Sequence, residues 1–356
     1  MSKKKIDISF IKNKLNFMKY DWNDVSIVPE TLSTIASRKE INPLIGGKLP
    51  LFTAPMDKVI DGTNVKSFDD NLINVCLPRH VKYEDLKNDN YFYSYGLDEM
   101  VSLLMQKEAI LPKRILIDVA NGHMMKLWET AKMIKEIYGN EIELMIGNIA
   151  NPDTYRKYCE IGVDYIRVGI GGGSACTTSA NVSIHYPMAS LISECADWKH
   201  IYDKPTKIVA DGGFRNFSDI IKALALGADY VMLGGVFNKC LESCGDNFLK
   251  DANGVYHTIE PEIATLNFNT GIDVYKYYRG MSTKEVQKSW NKSELKTGEG
   301  ITKYNKVDYT LEGWCENFTD YLKSAMSYTD SRSLEDFIGE VRWEVISQNS
   351  FNRFNK

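Results

Sequence analysis

Asp164-Tyr165-Ile166-Arg167-Val168-Gly169-Ile170 runs directly into Gly171-Gly172-Gly173-Ser174-Ala175-Cys176-Thr177-Thr178, a β-branched stretch that breaks into a glycine-rich loop carrying one cysteine. The apolar run reads as a short buried strand. Four glycines among the five residues 169–173 let the backbone turn through positive φ and approach a ligand closely, and successive N–H groups in such a turn make a nest for an anion. Cys176 stands three residues past the last glycine, with hydroxyls at Ser174, Thr177 and Thr178 that can donate to a thiolate. A phosphate cradle with a thiol beside it, at the carboxyl end of a strand, is the arrangement from which the remaining sequence is read.

Outward from this stretch, seven more short apolar runs recur, each ending in a polar or glycine turn before a segment of helical period. In order the eight are Leu51 to Met56, Leu72 to Leu77, Tyr91 to Gly96, Ile115 to Ala120, Leu144 to Ile149, Tyr165 to Ile170, Lys207 to Ala210 and Tyr230 to Leu233. Met124 to Tyr138 and Phe217 to Leu226 have apolar residues at helical spacing, the second ending at Gly227. Alternating β/α units with parallel strands follow. An α/β TIM (β/α)8 barrel fits eight of them, and a doubly wound open sheet uses the same units. The barrel is preferred because Asp57, Asp118, Asn121, Asn148, Gly171 to Cys176, Asp211 and Gly234-Gly235 all fall at or just past the carboxyl end of a strand, where a barrel gathers its reactive groups.

The 356 residues are read as one barrel domain, residues 1–356, with a flap and irregular insertion at about 238–316, a segment rich in Lys, Asn, Glu and Gly. A net charge of −4 gives no basic field for nucleic acid. No run of eighteen apolar residues appears, so no membrane contact and a cytoplasmic location are expected. Seven cysteines without a CxxC pair, and five scattered histidines, predict reduced thiols and no structural metal.

With these residues in hand, the chain resembles the family containing inosine monophosphate dehydrogenase and guanosine monophosphate reductase. The marks are Tyr20-Asp21-Trp22-Asn23-Asp24-Val25, Ala54-Pro55-Met56-Asp57, Asp118-Val119-Ala120-Asn121-Gly122, the cysteine loop, Ala210-Asp211-Gly212-Gly213, Leu233-Gly234-Gly235, Tyr278-Arg279-Gly280-Met281-Ser282 and Lys323-Ser324-Ala325-Met326-Ser327-Tyr328. The resemblance implies that Cys176 attacks C2 of a purine nucleoside monophosphate and holds it as a thioimidate. It implies that Ser174, Gly213, Gly234, Gly235 and Tyr278 hold the 5′-phosphate, that Asp211 accepts from the ribose hydroxyls, and that Arg279, Gly280, Met281 and Ser282 belong to the substrate site, with Met281 and Ser282 at the base. Asp118, Asn121, Gly122, Asn148, Thr178 and Lys296 are the residues it implies for the cofactor, NADPH. A monovalent cation such as K+ at Gly171, Gly173 and Cys176, and a homotetramer, are further expectations of the same kind.

Three features place the resemblance nearer the reductases. Only residues 81–90 separate His80 from the third strand, leaving no room there for the regulatory nucleotide-binding modules usual in dehydrogenases. No arginine occurs from Gly280 to Ser331, where a dehydrogenase flap supplies one to activate water. The Asp118-to-Gly122 run looks like the reductase version of that segment. Thr178 and Glu299 correspond to the reductase pair that handles the proton for a departing 2-amino group. The resemblance thus implies NADPH-dependent conversion of guanosine monophosphate to inosine monophosphate and ammonia; the alternatives are a short dehydrogenase, a reductase of a deoxy or modified purine nucleotide, or a nucleotide-binding barrel without activity. The chain departs from the family pattern where Gly172 replaces the loop proline, where Ser183 and His185 replace glycines, and where Arg79 stands for a lysine.

Overall fold

Hydrophobic alternation along short strands dictates two cores, one inside the sheet and one between the sheet and its helices. The computed structural model describes residues 18–106, 110–202, 206–289 and 297–354. After a short strand β1 (Val25–Ile27), which pairs antiparallel with β14 (Trp343–Val345), eight parallel strands follow: β2 (Leu51–Thr53), β3 (Cys76–Leu77), β4 (Phe92–Tyr95), β5 (Arg114–Asp118), β6 (Glu143–Ile149), β7 (Tyr165–Val168), β8 (Lys207–Asp211) and β9 (Tyr230–Leu233). Their order is β2-β9-β8-β7-β6-β5-β4-β3, and a parallel bridge between Phe52 and Asn74 joins the two ends, so the sheet closes as a TIM barrel. All eight strands coincide with the runs read from the sequence, and the open-sheet alternative is excluded.

Helices Met125–Tyr138 and Phe217–Ala225 cover the outside, as their periodicity predicts. The second is capped by Asn216, whose side chain accepts from the Asp219 amide. Inside the barrel, Phe52, Cys76, Phe92, Leu116, Met145, Val209, Tyr230 and Met232 form a separate apolar cluster. Edge-on aromatic contacts such as Phe52–Tyr230 at 5.1 Å and Phe92–Tyr165 at 5.2 Å plug it. Two residues further along β5, β7 and β8, on the same inward face, come Asp118, Arg167 and Asp211. The apolar plug thus becomes the floor of a charged layer at the carboxyl end.

The segment 238–316 departs from the irregular structure expected of it. It holds a four-stranded antiparallel sheet of β10 (Asn247–Lys250), β11 (Tyr256–Ile259), β12 (Tyr275–Arg279) and β13 (Thr302–Lys306), ordered β11-β10-β12-β13, with helix Pro261–Asn269 between β11 and β12. The helix Leu311–Tyr328, capped by Thr310, starts within the same stretch. Of these strands β12 and β13 were hidden because they carry tyrosine, lysine, arginine and asparagine rather than aliphatic side chains. Lys276 lies 2% exposed among them, a residue type that reads as solvated in a sequence.

Candidate active site

The glycine loop after β7 takes the turns its composition permits: Gly171 has φ +84°, and Gly212 and Gly213 in the facing turn after β8 have φ +95° and +86°. Gly172 needs no unusual φ; a Cβ there would lie 3.1 Å from the Gly213 nitrogen, so its replacement of proline lets two glycine turns pack backbone to backbone. Ser183, in place of a glycine, ends the short helix Thr178–Val182 in the left-handed region at φ 58°.

Cys176 stands at the end of this loop. Its Sγ donates to Thr178 Oγ1 at 3.3 Å, and Thr178 Oγ1 donates in turn to Glu299 Oε2 at 2.5 Å. The segment bearing Glu299 is stitched onto the loop by its backbone: the Thr177 amide donates to the Glu299 carbonyl (3.0 Å), the Ile301 amide to the Ala175 carbonyl (3.0 Å), and Cys176 forms an antiparallel bridge with Gly300. Gly280 completes the seam, because a Cβ there would come within 2.5 Å of the Ala175 oxygen. Thiol, hydroxyl and carboxylate therefore form one hydrogen-bonded line.

They open on a cavity of about 630 Å³, within the range that buries a nucleotide-sized ligand. Of the sequence-expected residues its wall includes Ser174, Cys176, Thr178, Asp211, Gly213, Gly234, Gly235, Tyr278, Gly280, Met281, Ser282, Glu299, Asp118, Asn148, Gly171 and Gly173. Arg279 stands outside it, paired with the carboxylate of Asp57 and, at 2.6 Å, with Glu285. Asn121 and Gly122 also stand outside: Asn121 accepts from the His123 amide, and Gly122 donates to the Asn148 carbonyl and accepts from Tyr158. Lys296 lies outside the described residues.

Beneath the cavity, buried Arg167 holds the charged layer together. It donates to Asp118 Oδ1 at 2.6 Å and, through Nε and Nη2, to Asp211 Oδ2 at 3.1 and 2.8 Å; Asn148 adds a bond to the same oxygen at 2.7 Å. Burial opposes the charge on Arg167, but the two carboxylates outweigh it and hold the guanidinium protonated. Asp118 is also engaged by Arg79, both at its carboxylate and at its carbonyl. Among the described residues Asp211 Oδ1 receives no hydrogen bond, which leaves an acceptor for a diol. This network escaped the sequence reading, although an arginine at an inward position of Tyr-Ile-Arg-Val was a usable signal. Lys239, Lys303, Asn305 and Tyr309 on the wall were likewise missed.

At the end of the cavity where the resemblance expects a phosphate, Ser174 Oγ and the Tyr278 hydroxyl converge on Gly235, where a Cβ would lie 2.7 and 3.5 Å from them. Burial pushes the Tyr278 phenol well up, so it stays a neutral donor. A nicotinamide cofactor fits the wall to the extent that Asn148, which lines the cavity, offers an Oδ1 that accepts nothing among the described residues. A cation at Gly171, Gly173 and Cys176 fits less well: the Gly171 carbonyl already accepts from Ser179 at 3.1 Å and the Gly173 carbonyl from the Cys176 amide at 2.9 Å. Among the described residues no cluster of three or more His, Cys, Asp or Glu could hold a metal ion, and no helix is long and apolar enough to cross a membrane.

Comparison with known proteins gives concordant results. A family model described as IMP dehydrogenase / GMP reductase domain matches residues 98–354. The chain is 31% identical over 252 residues to a GMP reductase of Buchnera aphidicola, covering 64% of this chain and 71% of that one. It is 26% identical over 358 residues to a GMP reductase of Caenorhabditis elegans, covering 94% and 93%. Similarity to an inosine-5′-monophosphate dehydrogenase of Cryptosporidium parvum is 33% over 231 residues, covering 62% and 52%.

Proposed function

The chain belongs to the IMP dehydrogenase / GMP reductase family, and from that premise we propose that it is an NADPH-dependent reductase that converts guanosine monophosphate to inosine monophosphate and ammonia. The observation that carries this reading is the line Cys176 Sγ to Thr178 Oγ1 to Glu299 Oε2. Its donor directions describe a relay. The Cys176 proton passes through Thr178 to Glu299, which leaves a thiolate for attack at C2 and a protonated carboxyl beside the nitrogen that must depart. The thiolate adds to C2, Glu299 returns the proton through or alongside Thr178 to the 2-amino group, and ammonia leaves as the C2–N bond breaks. The purine remains joined to Cys176 as a thioimidate. When bound, the reduced nicotinamide supplies the hydride that C2 then accepts; loss of the Cys176 thiolate gives inosine monophosphate.

The other residues orient this chemistry. Ser174, Gly213, Gly234, Gly235 and Tyr278 hold the 5′-phosphate with neutral donors, and Asp211, fixed by Arg167 and Asn148, accepts from the ribose through Oδ1. Met281 and Ser282 face the base. Asn148 is assigned to the nicotinamide through its open Oδ1, and Asp118 acts indirectly, because Arg79 and Arg167 occupy its carboxylate. A homotetramer and a cytoplasmic location belong to the same proposal.

The test is the reduced-nicotinamide absorbance with NADPH and guanosine monophosphate, repeated with C176A. Oxidation that depends on Cys176 and releases ammonia is expected. Reduction of NAD with inosine monophosphate instead would replace this reading with the dehydrogenase.

A further inference from the structure

The donors assigned to the 5′-phosphate carry no formal positive charge, yet a cation stands beside them. Lys303 on β13 lies directly opposite Tyr278 on β12 in the antiparallel register, and both line the cavity. Its Nζ sits over the Tyr278 ring, 5.6 Å from the centroid. Among the described residues no carboxylate comes within 4.0 Å of it. The neighbouring wall lysine, Lys239, differs, since its Nζ is bound by Asp308 at 2.7 Å. Partial burial and then the charge of Lys239 both disfavour the Lys303 ammonium. A half-buried, unpaired cation crowded by a second one is unfavourable in the free protein, and an anion in the cavity would reverse that.

We propose that Lys303 is a phosphate-recognition residue, which sets the preference of this chain for a substrate bearing a phosphate dianion next to Tyr278. This rests on the reading of the cavity as a purine nucleotide site and adds to it a charged determinant outside the glycine turns. Tyr278 places the ammonium as well as donating its own hydroxyl: the ring supports the lysine stem, and the cross-strand pairing fixes its height over the cavity.

The experiment compares wild type, K303M and K303R by calorimetric titration with ribose 5-phosphate, guanosine monophosphate and guanosine, together with steady-state kinetics. Methionine keeps the stem on Tyr278, and thermal melts confirm that the variants fold. Expected are a loss of about tenfold or more in affinity for both phosphates in K303M, no change for guanosine, a loss in kcat/KM that falls on KM rather than kcat, and recovery in K303R. Equal affinity of wild type and K303M for ribose 5-phosphate would overturn the proposal even if guanosine monophosphate is turned over. Lysine-dependent binding of ribose 5-phosphate without that turnover would uphold the anion site and sink the reductase reading. Absence of phosphate binding by wild type would overturn both.

Discussion

Thr178 Oγ1 lies 2.5 Å from Glu299 Oε2, tying the cysteine loop to a carboxylate 121 residues further along the chain. Because the same hydroxyl accepts from Cys176, removing it disconnects the thiol from the carboxylate without disturbing either backbone. T178V should therefore lower kcat by about 10²-fold or more, the usual worth of a placed proton-transfer group. E299Q, which keeps the size and one acceptor oxygen, should do the same while leaving nucleotide affinity within a few-fold. Single-turnover ammonia release measures this; an E299Q enzyme of unchanged rate would remove Glu299 from the chemistry.

Gly280 contributes by what it lacks. Its missing Cβ leaves room for the Ala175 carbonyl, 2.5 Å from where the Cβ would be, and for Gly300 Cα at 3.2 Å. G280A should push the Glu299 segment off the cysteine loop, and a displacement of about 1 Å can cost on the order of 10² in rate. The expected signature is a fall in kcat with a melting temperature little changed, since the barrel core is remote from the seam. A large drop in melting temperature with full activity per folded molecule would contradict it.

The eight barrel strands were legible because each is a buried run with turn chemistry at its end, and the loop residues at those ends were legible for the same reason. What stayed hidden was polar structure in apolar disguise or the reverse. Arg167 sits inside β7 between Ile166 and Val168, and nothing in that run names Asp118 and Asp211 as its partners, since those contacts cross 49 and 44 residues. Lys276 and Lys303 belong to β12 and β13, whose tyrosine, lysine and asparagine content reads as loop until pairing shows alternate residues turned inward. Gly122, which the family resemblance assigns to the cofactor, also packs its backbone tightly against Asn148, where a Cβ would meet the Asn148 oxygen at 2.6 Å.

On the proposed reading Asp211 joins stability to binding. It supplies one of the two carboxylates that hold buried Arg167, and removing one partner of a buried ion pair costs about 3–5 kcal/mol. D211N should lower the urea midpoint and weaken nucleotide binding together, with less loss for a 2′-deoxynucleotide, which has no diol to satisfy. R167M should lower the midpoint at least as much, because it leaves Asp118 and Asp211 facing each other. A D211N protein as stable as wild type would mean that Arg167 is sufficiently held by Asp118 alone.

Lys276 gives the fold a pH dependence of definite sign. Its Nζ donates to the carbonyls of Ser243 at 2.5 Å and Gly245 at 3.2 Å, and burial pulls its pKa down to about 8. The unfolded chain holds that proton up to about pH 10.4. Below pH 8 both states are protonated and the desolvation cost of the ammonium is fully present. As the pH rises from 8 towards 10.4 the folded state releases the proton first, the unfolded state binds more protons, and stability rises. Other lysines and tyrosines titrate over the same range, so the quantity to follow is the difference between wild type and K276M. Denaturant melts should show it moving in favour of wild type by about 2 kcal/mol between pH 7 and pH 9.5. A difference that stays flat across that interval would show that the two carbonyls hold the ammonium as well as water does, and that Lys276 is charged throughout.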